Sequence, residues 1–238
     1  MRLFLLSCLC SCSLLSLAQG SSLPNGFSSG ELVCFVRTGL SLDGVTGSGV
    51  DEEKTTWAAV NCNGEFKNII GGSLTFGADM PIGNSPFYLG ISFSGSMRGY
   101  EKSARWKGNT YSLKNQTEKL TAFNAQISPM NIGYIAKFSK NTALDLHAGC
   151  FFSCDIAGNY SIETTYNDES KEKVSYDIGE LKDYMDYSIY DIGFSGGIGL
   201  WFNRWVIDFS YQRGIASMYK GGNDFNSTKI QLLLGYAF

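Results

Sequence analysis

The clearest indication of the fold is the stretch Lys229-Ile230-Gln231-Leu232-Leu233-Leu234-Gly235-Tyr236-Ala237-Phe238. Its even-numbered positions are all large and apolar or aromatic, whereas its odd-numbered positions include lysine, glutamine, glycine and alanine. Because successive side chains of a β-strand point to opposite faces, this period of two predicts a strand with one apolar face. Alternation in one strand fits a water-soluble sheet and a membrane barrel equally well, so the other segments of the chain must distinguish these two folds.

The same alternation recurs upstream, in segments that place large apolar residues at one parity and small, polar or charged residues at the other. These segments are residues 70–80, 87–94, 144–156, 190–202 and 205–212. A first strand is predicted at residues 32–40, with Arg37 facing inward. A further strand covers residues 123–138, and its apolar phase slips by one residue at Pro129. Since proline cannot donate to a strand ladder, this slip predicts a β-bulge.

The polar faces of these strands carry the charges. Seven residues are expected to form a charge network there: Arg37, Asp145, His147, Asp155, Asp191, Asp208 and Lys229. Their neighbours are mostly glycine and serine, which suits a narrow lumen filled by salt-bridged side chains. The apolar faces end in aromatic residues, as transmembrane barrels do at their girdles. We therefore predict an all-β, eight-stranded antiparallel up-and-down transmembrane β-barrel. The opposite assignment, with apolar faces inward, predicts a soluble secreted ligand-binding barrel.

The links between the predicted strands alternate in length. Long, polar links fall near residues 41–66, 99–119 and 159–188, tight turns near 81–85, 139–141 and 203–204, and an intermediate link at 219–226. Short periplasmic turns and longer extracellular loops are typical of outer-membrane barrels. With both ends of the chain periplasmic, this parity requires an even number of strands.

Two of the long links carry opposite charge. Residues 98–119 hold six basic and two acidic side chains, a net charge of +4, and residues 159–188 hold eight acidic side chains and three lysines, a net charge of −5. We expect the two segments to fold together as an extension above the membrane and to offer a site for a protein partner at 99–119 and 159–188. Two separately solvated loops are the alternative.

The amino-terminal segment is typical of a secretory signal peptide. Arg2 supplies the positive charge, residues 3–17 form an apolar run, and Ser16-Leu17-Ala18 resembles a cleavage site. The run is shorter than the roughly 20 residues of a spanning helix, and its cysteines lack a lipoprotein motif. We expect residues 1–18 to be a signal peptide, 19–30 a periplasmic segment and 31–238 the barrel domain, reached by Sec-dependent export.

The last aromatic residues indicate how the barrel would be recognised. Tyr236 and Phe238 share one face at the end of the chain, which resembles the carboxy-terminal signature by which outer-membrane barrels are recognised for assembly. The expected partners are therefore outer-membrane lipid and, through the last strand, the barrel-assembly machinery. The expected location is the outer membrane of a Gram-negative bacterium. The net charge of −3 offers no electrostatic footprint for nucleic acid.

Chemistry is sparse in this sequence. His147 is the single histidine, and a His147–Asp145 pair keeps an outer-membrane lipid-modifying enzyme as an alternative function. Its place near the periplasmic start of a strand favours a structural role instead. Cys150 and Cys154 would lie about 13 Å apart along one strand, too far for a disulfide, which needs Cα atoms within about 7 Å. We predict no catalytic residue, no cofactor and no metal site.

The last third of the chain resembles a known family. Residues 190–199 (YDIGFSGGIG), 208–214 (DFSYQRG) and 231–238 (QLLLGYAF) are similar to segments of the PorT-like outer-membrane β-barrel family. Residues 146–149 (LHAG) match more loosely, because Cys150 stands where that family usually has proline. The resemblance covers about residues 31–238 and implies an eight-stranded barrel. It implies no activity, and we expect a non-enzymatic protein that acts through its extracellular loops or as a structural or assembly partner.

Overall fold

The computed structural model describes residues 23–24, 31–107, 112–220 and 224–238. Its elements in chain order are β1 (Val33–Thr46), α1 (Ser48–Ala59), β2 (Cys62–Pro81), β3 (Phe87–Trp106), β4 (Leu113–Lys137), β5 (Thr142–Tyr166), β6 (Lys171–Asp177), α2 (Ile178–Tyr184), β7 (Tyr190–Phe202), β8 (Trp205–Ser217) and β9 (Asn226–Ala237). The expected signal peptide lies outside the described residues, as does most of the expected periplasmic segment.

Eight strands close into a ring. β1 pairs antiparallel with both β2 and β9, and the ladder continues around the ring through β3, β4, β5, β7 and β8. The pairing of β4 with β5 closes it. The predicted eight-stranded antiparallel barrel is confirmed. A ninth strand, β6, was not predicted; it pairs with β5 above the point where β7 leaves it.

The barrel is polar inside and apolar outside. Asp208 and Lys229 keep only 1% and 6% of their surface exposed, whereas Phe209 and Leu232 on the same two strands are 52% and 55% exposed. Burying charge while exposing large apolar side chains is the reverse of what water favours, and it is what a lipid-facing barrel requires. The prediction of a soluble barrel with an apolar interior is wrong for this chain.

The strands extend further than the sequence pattern suggested. β1 runs to Thr46 rather than to residue 40, and the β3–β4 link is residues 107–112 rather than 99–119. The segment 41–66 contains the end of β1, α1 and the start of β2, and the segment 159–188 contains the end of β5, β6 and α2. The sequence pattern does not predict these extensions, because the outer side chains there face water and are polar. The backbone pairing of the strands nevertheless continues.

The turns on the opposite side are short, as predicted. β2 and β3 are joined by residues 82–86, β4 and β5 by 138–141, and β7 and β8 by 203–204. β1 begins and β9 ends on this side, which we call the periplasmic side after the expectation from the sequence, and we call the opposite side the extracellular side. The predicted bulge at Pro129 is also confirmed, because the register of β4 against β5 shifts between Ile127 and Met130.

Two helices of the described residues lie on the extracellular side. α1 packs on β2 through Trp57, whose ring lies so close over Gly64 that a Cβ at this position would overlap it. α2 begins with a capping box, in which Asp177 accepts from the helix and Glu180 accepts from the Asp177 N–H at 3.1 Å. Within the described parts of the chain, neither helix has the length and apolarity to cross a bilayer.

Candidate functional site in the lumen and the extracellular sheet

The lower lumen cluster consists of Arg37, Asp79, Asp145, His147 and Asp208. Nη1 of Arg37 lies 3.0 Å from Oδ2 of Asp208, and Nη2 lies 3.8 Å from Oδ2 of Asp145. His147 lies between the same two carboxylates, with Nδ1 3.8 Å from Asp145 and Nε2 3.6 Å from Asp208. An isolated buried charge is costly, so the Arg37 guanidinium compensates the two buried carboxylates, and the imidazole lies between them.

Tyr88 seals the floor of this cluster. Its hydroxyl donates to Oδ1 of Asp145 at 2.9 Å. Its ring lies over Gly133 on the neighbouring strand, where a Cβ would overlap the ring atoms. Tyr88 also lines a cavity of about 60 Å³, which is bordered by Arg37, Asp79 and His147 together with serine and glutamine side chains. A glycine is therefore required at position 133, because any side chain there would displace the Tyr88 ring.

The upper lumen cluster consists of Asp43, Arg98, Asp155, Asp191 and Lys229. Nη1 of Arg98 lies 3.4 Å from Asp191 and 3.8 Å from Asp155. Nζ of Lys229 lies 3.5 Å from Asp43 and donates to Oγ of Ser96 at 2.5 Å. Hydrogen bonds from Asn124 to Asp155 at 2.8 Å and from Ser41 to Asp43 at 2.6 Å complete the network.

The seven residues predicted for the lumen thus fall into two clusters. Arg37, Asp145, His147 and Asp208 lie in the lower one, and Asp155, Asp191 and Lys229 lie in the upper one. Sequence reasoning missed Asp43, Asp79 and Arg98. Each has the inward parity of its strand, and Asp43 and Arg98 lie beyond the ends that the alternation predicts for β1 and β3. Continuing the period of two along β1 and β3 would have found Asp43 and Arg98, and Asp79 has the inward parity within the predicted segment 70–80.

An apolar cluster closes the periplasmic end of the lumen. It contains Phe35, Tyr88, Trp201 and Val206 from the strands and Leu23 from the segment before the barrel. The Leu23 N–H donates to the Lys140 carbonyl oxygen at 3.2 Å, which ties this segment to the β4–β5 turn. The periplasmic mouth is therefore packed with side chains.

A second apolar cluster closes the extracellular end. Ile178 and Leu181 of α2 pack there with Tyr187, Met218 and the inward residues of the strands. The Tyr187 hydroxyl donates to Oδ2 of Asp155 at 2.5 Å and so joins this cap to the upper lumen cluster. With charged clusters between two apolar caps, the side chains of the protein fill the interior apart from the cavity of about 60 Å³ beside Tyr88.

Above the apolar belt the strands continue as an extracellular sheet, which we define as residues 62–68, 98–106, 113–122, 157–166 and 171–177 of β2 to β6. The β4–β5 ladder joins the two oppositely charged segments, which confirms that they fold together. Among the ion pairs of the described residues, Lys114–Glu169 connects them. Their opposite charges therefore supplement a ladder that backbone pairing forms.

Polar contacts fix α1 and the β8–β9 link to the inner side of this sheet. Nζ of Lys102 lies 2.9 Å from Glu53 of α1 and 3.2 Å from Glu118. The Tyr100 and Tyr219 hydroxyls lie 2.6 Å apart. Burial raises the pKa of Tyr219 to about 12. These side chains hold the extracellular elements in one arrangement.

The aromatic residues expected to mark the last strand lie at its periplasmic end. The Tyr236 ring packs between Trp205, at 5.1 Å between centroids, and Phe238, at 5.9 Å. The Phe238 N–H donates to the Cys34 carbonyl oxygen at 2.9 Å. The aromatic pair therefore lies at the end of the seam between β9 and β1.

Comparison with known proteins gives structural matches. No protein-family model and no curated protein matches the chain. Ail, the attachment invasion locus protein of Yersinia pestis, is similar at 16% identity, over 87% of this chain and 99% of Ail, with a TM-score of 0.40. A major outer membrane protein of Thermus thermophilus is similar at 10% identity, over 87% and 100%, with a TM-score of 0.43. The outer membrane protein OprG of Pseudomonas aeruginosa is similar at 10% identity, over 89% and 98%, with a TM-score of 0.35.

Proposed function

We propose that this protein is a non-enzymatic integral protein of a Gram-negative outer membrane and that it acts by presenting the extracellular sheet to a partner. The observation that carries the proposal is the length of β4 and β5. Each is 25 residues long, whereas a tilted strand needs about 9–11 residues to cross a bilayer. The excess stands on the extracellular side, where it forms an ordered surface.

The outer surface supports the proposed location. Large apolar side chains cover the outside of the barrel, and the eight paired strands of the described chain form a closed hydrogen-bonded ring at that level. In hydrocarbon every backbone group needs an internal partner, and a closed barrel supplies one. A membrane is the surrounding in which this surface is stable.

The interior supports a role other than permeation or catalysis. Two buried charge clusters and two apolar caps occupy the lumen. His147 lies in this sealed interior between Asp145 and Asp208, whereas an enzyme acting on lipid needs its histidine where an acyl chain can reach it. This placement favours a structural role for His147 over the rival lipid-modifying enzyme.

Three finer proposals accompany this function. The similarity of residues 190–199, 208–214 and 231–238 to PorT-like barrels supports a place in that family. The aromatic pair Tyr236 and Phe238 supports recognition by the barrel-assembly machinery. The apolar run at residues 3–17 supports export through the Sec pathway.

Surface labelling of intact cells tests the proposal. An epitope inserted after Asp168, in the β5–β6 turn, should be labelled by antibody on intact cells. The same epitope after Lys140, in the β4–β5 turn, should be labelled only after the outer membrane is permeabilised. The protein should fractionate with the outer membrane and should migrate faster on gels before heating than after. Labelling in the opposite pattern, or a soluble protein, would contradict the proposal.

A sealed lumen has its own test. Purified protein inserted into planar lipid bilayers should give no stable single-channel conductance. A steady open channel at low voltage would overturn the non-permeating role while leaving the location intact.

A further inference from the structure

Within the described residues the extracellular sheet has two edges, residues 62–68 of β2 and the strand β6. β6 is the last strand in the sheet order and, among the described residues, pairs with β5 alone. Across the same described ranges, the backbone hydrogen bonds outside the ladders include none from residues 171–177. Half of the backbone groups of an edge strand point away from its neighbour, which makes the edge a template for another extended chain.

The β6 edge lies outside the membrane. β6 pairs with residues 159–165 of β5, which follow Ile156, an outward side chain that is 63% exposed. Below that point β7 occupies the same side of β5, starting at the Cys154–Tyr190 pair. The open edge is thus confined to the part of the sheet that stands in water.

The two faces of β6 differ in chemistry. Val174 and Tyr176 are half-buried on the inner face, where Tyr176 packs against the apolar cap formed with α2. Lys171 and Lys173 are exposed on the outer face. No ion pair to either lysine occurs among those formed by the described residues. A strand added to this edge would therefore meet Tyr176, Val174 and the exposed Glu172 on its inner row. On its outer row it would meet Lys171, Lys173, Ser175 and Asp177.

We propose that β6 binds an extended segment of another protein by strand addition. The segment has apolar residues at two alternate positions, followed by acidic residues at two alternate positions. An antiparallel strand running past Tyr176 toward Lys171 would carry apolar residues opposite Tyr176 and Val174. It would carry Asp or Glu opposite Lys173 and Lys171. Read from its amino end, the motif is apolar, any, apolar, acidic, any, acidic. The proposal rests on the proposed function, because it requires the edge to face the outside of the cell.

Lysines on an exposed edge also limit pairing with unselected strands. Opposite charges directly across a strand pair favour association, and like charges oppose it. Lys171 and Lys173 therefore favour acidic over basic residues at the two positions directly opposite them, while the backbone supplies most of the affinity.

A charge-swap experiment tests the proposal with the detergent-solubilised full chain. The probes are a fluorescent peptide containing Ile-Thr-Val-Glu-Thr-Glu and its counterpart Ile-Thr-Val-Lys-Thr-Lys. Fluorescence anisotropy should show saturable binding of the acidic peptide and at least tenfold weaker binding of the basic one. The variant K171E/K173E should reverse this preference. The matched control K119E/K137E changes two exposed lysines away from the edge and should leave the preference unchanged.

Two further measurements separate strand addition from simple charge attraction. Two versions of the acidic peptide carry N-methyl groups on alternate amides, one at the odd and one at the even positions. Only one of the two should lose binding, because only every second amide faces β6. Light scattering without peptide checks for self-association. The proposal would be overturned if both N-methylated peptides lost binding equally, or if neither the acidic nor the basic peptide bound. It would also be overturned by self-association that K171E/K173E abolishes, because the edge would then bind a second copy of this chain. Failure here with correct surface labelling after Asp168 leaves the proposed function standing.

Discussion

Nη1 of Arg37 on β1 lies 3.0 Å from Oδ2 of Asp208 on β8, although 171 residues separate them in sequence. The two strands are held apart by β9, so the pair crosses a corner of the lumen. Asp145 on β5 approaches the same guanidinium at 3.8 Å. One cation thus joins three parts of the ring, and the lumen clusters contribute to barrel closure as well as to charge balance.

Removing that cation should be costly. Arg37→Met keeps much of the length of the side chain but leaves Asp145 and Asp208 without their guanidinium, so we expect the free energy of unfolding to fall by about 3–5 kcal/mol. Urea denaturation in detergent micelles measures the change. The matched control is Arg213→Met on the exposed outer face of β8, which should change stability by about 0.5 kcal/mol or less. Equal effects at the two sites would show that the buried pair does not stabilise the barrel.

The Tyr88–Gly133 contact makes a second prediction. Gly133→Ala places a methyl group where the Tyr88 ring lies, so the ring must move and its hydrogen bond to Asp145 must weaken. We expect a loss of about 1–3 kcal/mol, read from the same urea transition. Gly196→Ala is the control, since its Cβ would meet no heavy atom of the described residues closer than 3.6 Å. The double variant Gly133→Ala/Tyr88→Ala should lose less stability than the sum of the losses of the two single variants. If the two losses simply add, the contact between Tyr88 and residue 133 is not the cause of the Gly133→Ala loss.

The α2 cap supplies a third prediction. Leu181 is fully buried at the extracellular mouth, so Leu181→Asp places a charge in an apolar cluster and should open α2 locally. Protease cleavage in residues 167–189 of intact cells should rise on the order of tenfold, which corresponds to about 1.4 kcal/mol of local opening. Asp183→Ala, at an exposed position of the same helix, should leave cleavage unchanged. Unaltered cleavage in Leu181→Asp would mean that α2 does not depend on this packing.

Alkaline pH should loosen the extracellular cluster. Burial raises the pKa of Tyr219 to about 12 from its ordinary value of 10.0, so the unfolded chain loses this proton first. The contribution of the protonated Tyr219 hydroxyl to the free energy of unfolding is complete below about pH 10 and is lost as the pH rises toward 12. Urea midpoints across this window should fall, and Tyr219→Phe should lessen the fall. A rise in stability between pH 10 and 12 would contradict the burial of this hydroxyl.

Much of the barrel could be predicted from sequence because lipid imposes a simple rule. Strands such as 205–212 and 229–238 must be apolar at every second position, so their alternation is regular and their inward residues follow from parity. Above the belt the outer face meets water, and regular contrast between the faces ends. The upper parts of β3 and β4 therefore have the composition of a loop, and the inward position of Arg98 does not stand out in the sequence.

The extracellular elements depended on contacts that no local pattern contains. β6 is a short strand whose pairing with β5 is set by the turn at 167–170 and by Tyr176 packing on the α2 cap. α1 is held by Trp57 over Gly64 and by the Glu53–Lys102 ion pair. The residues that α1 contacts lie outside its own segment, so the composition of residues 41–66 by itself predicts a polar loop.

The apolar parity of the strands faces lipid and the charged parity faces the lumen, and every other conclusion depends on this orientation. The sharpest test places nitroxide labels one at a time at positions 230 to 234 of β9 in lipid bilayers and measures their collision with oxygen dissolved in hydrocarbon. We expect high oxygen accessibility at Ile230, Leu232 and Leu234, which are outward and exposed, and low accessibility at Gln231 and Leu233. High accessibility at Gln231 and Leu233 with protection at Leu232 would contradict this orientation.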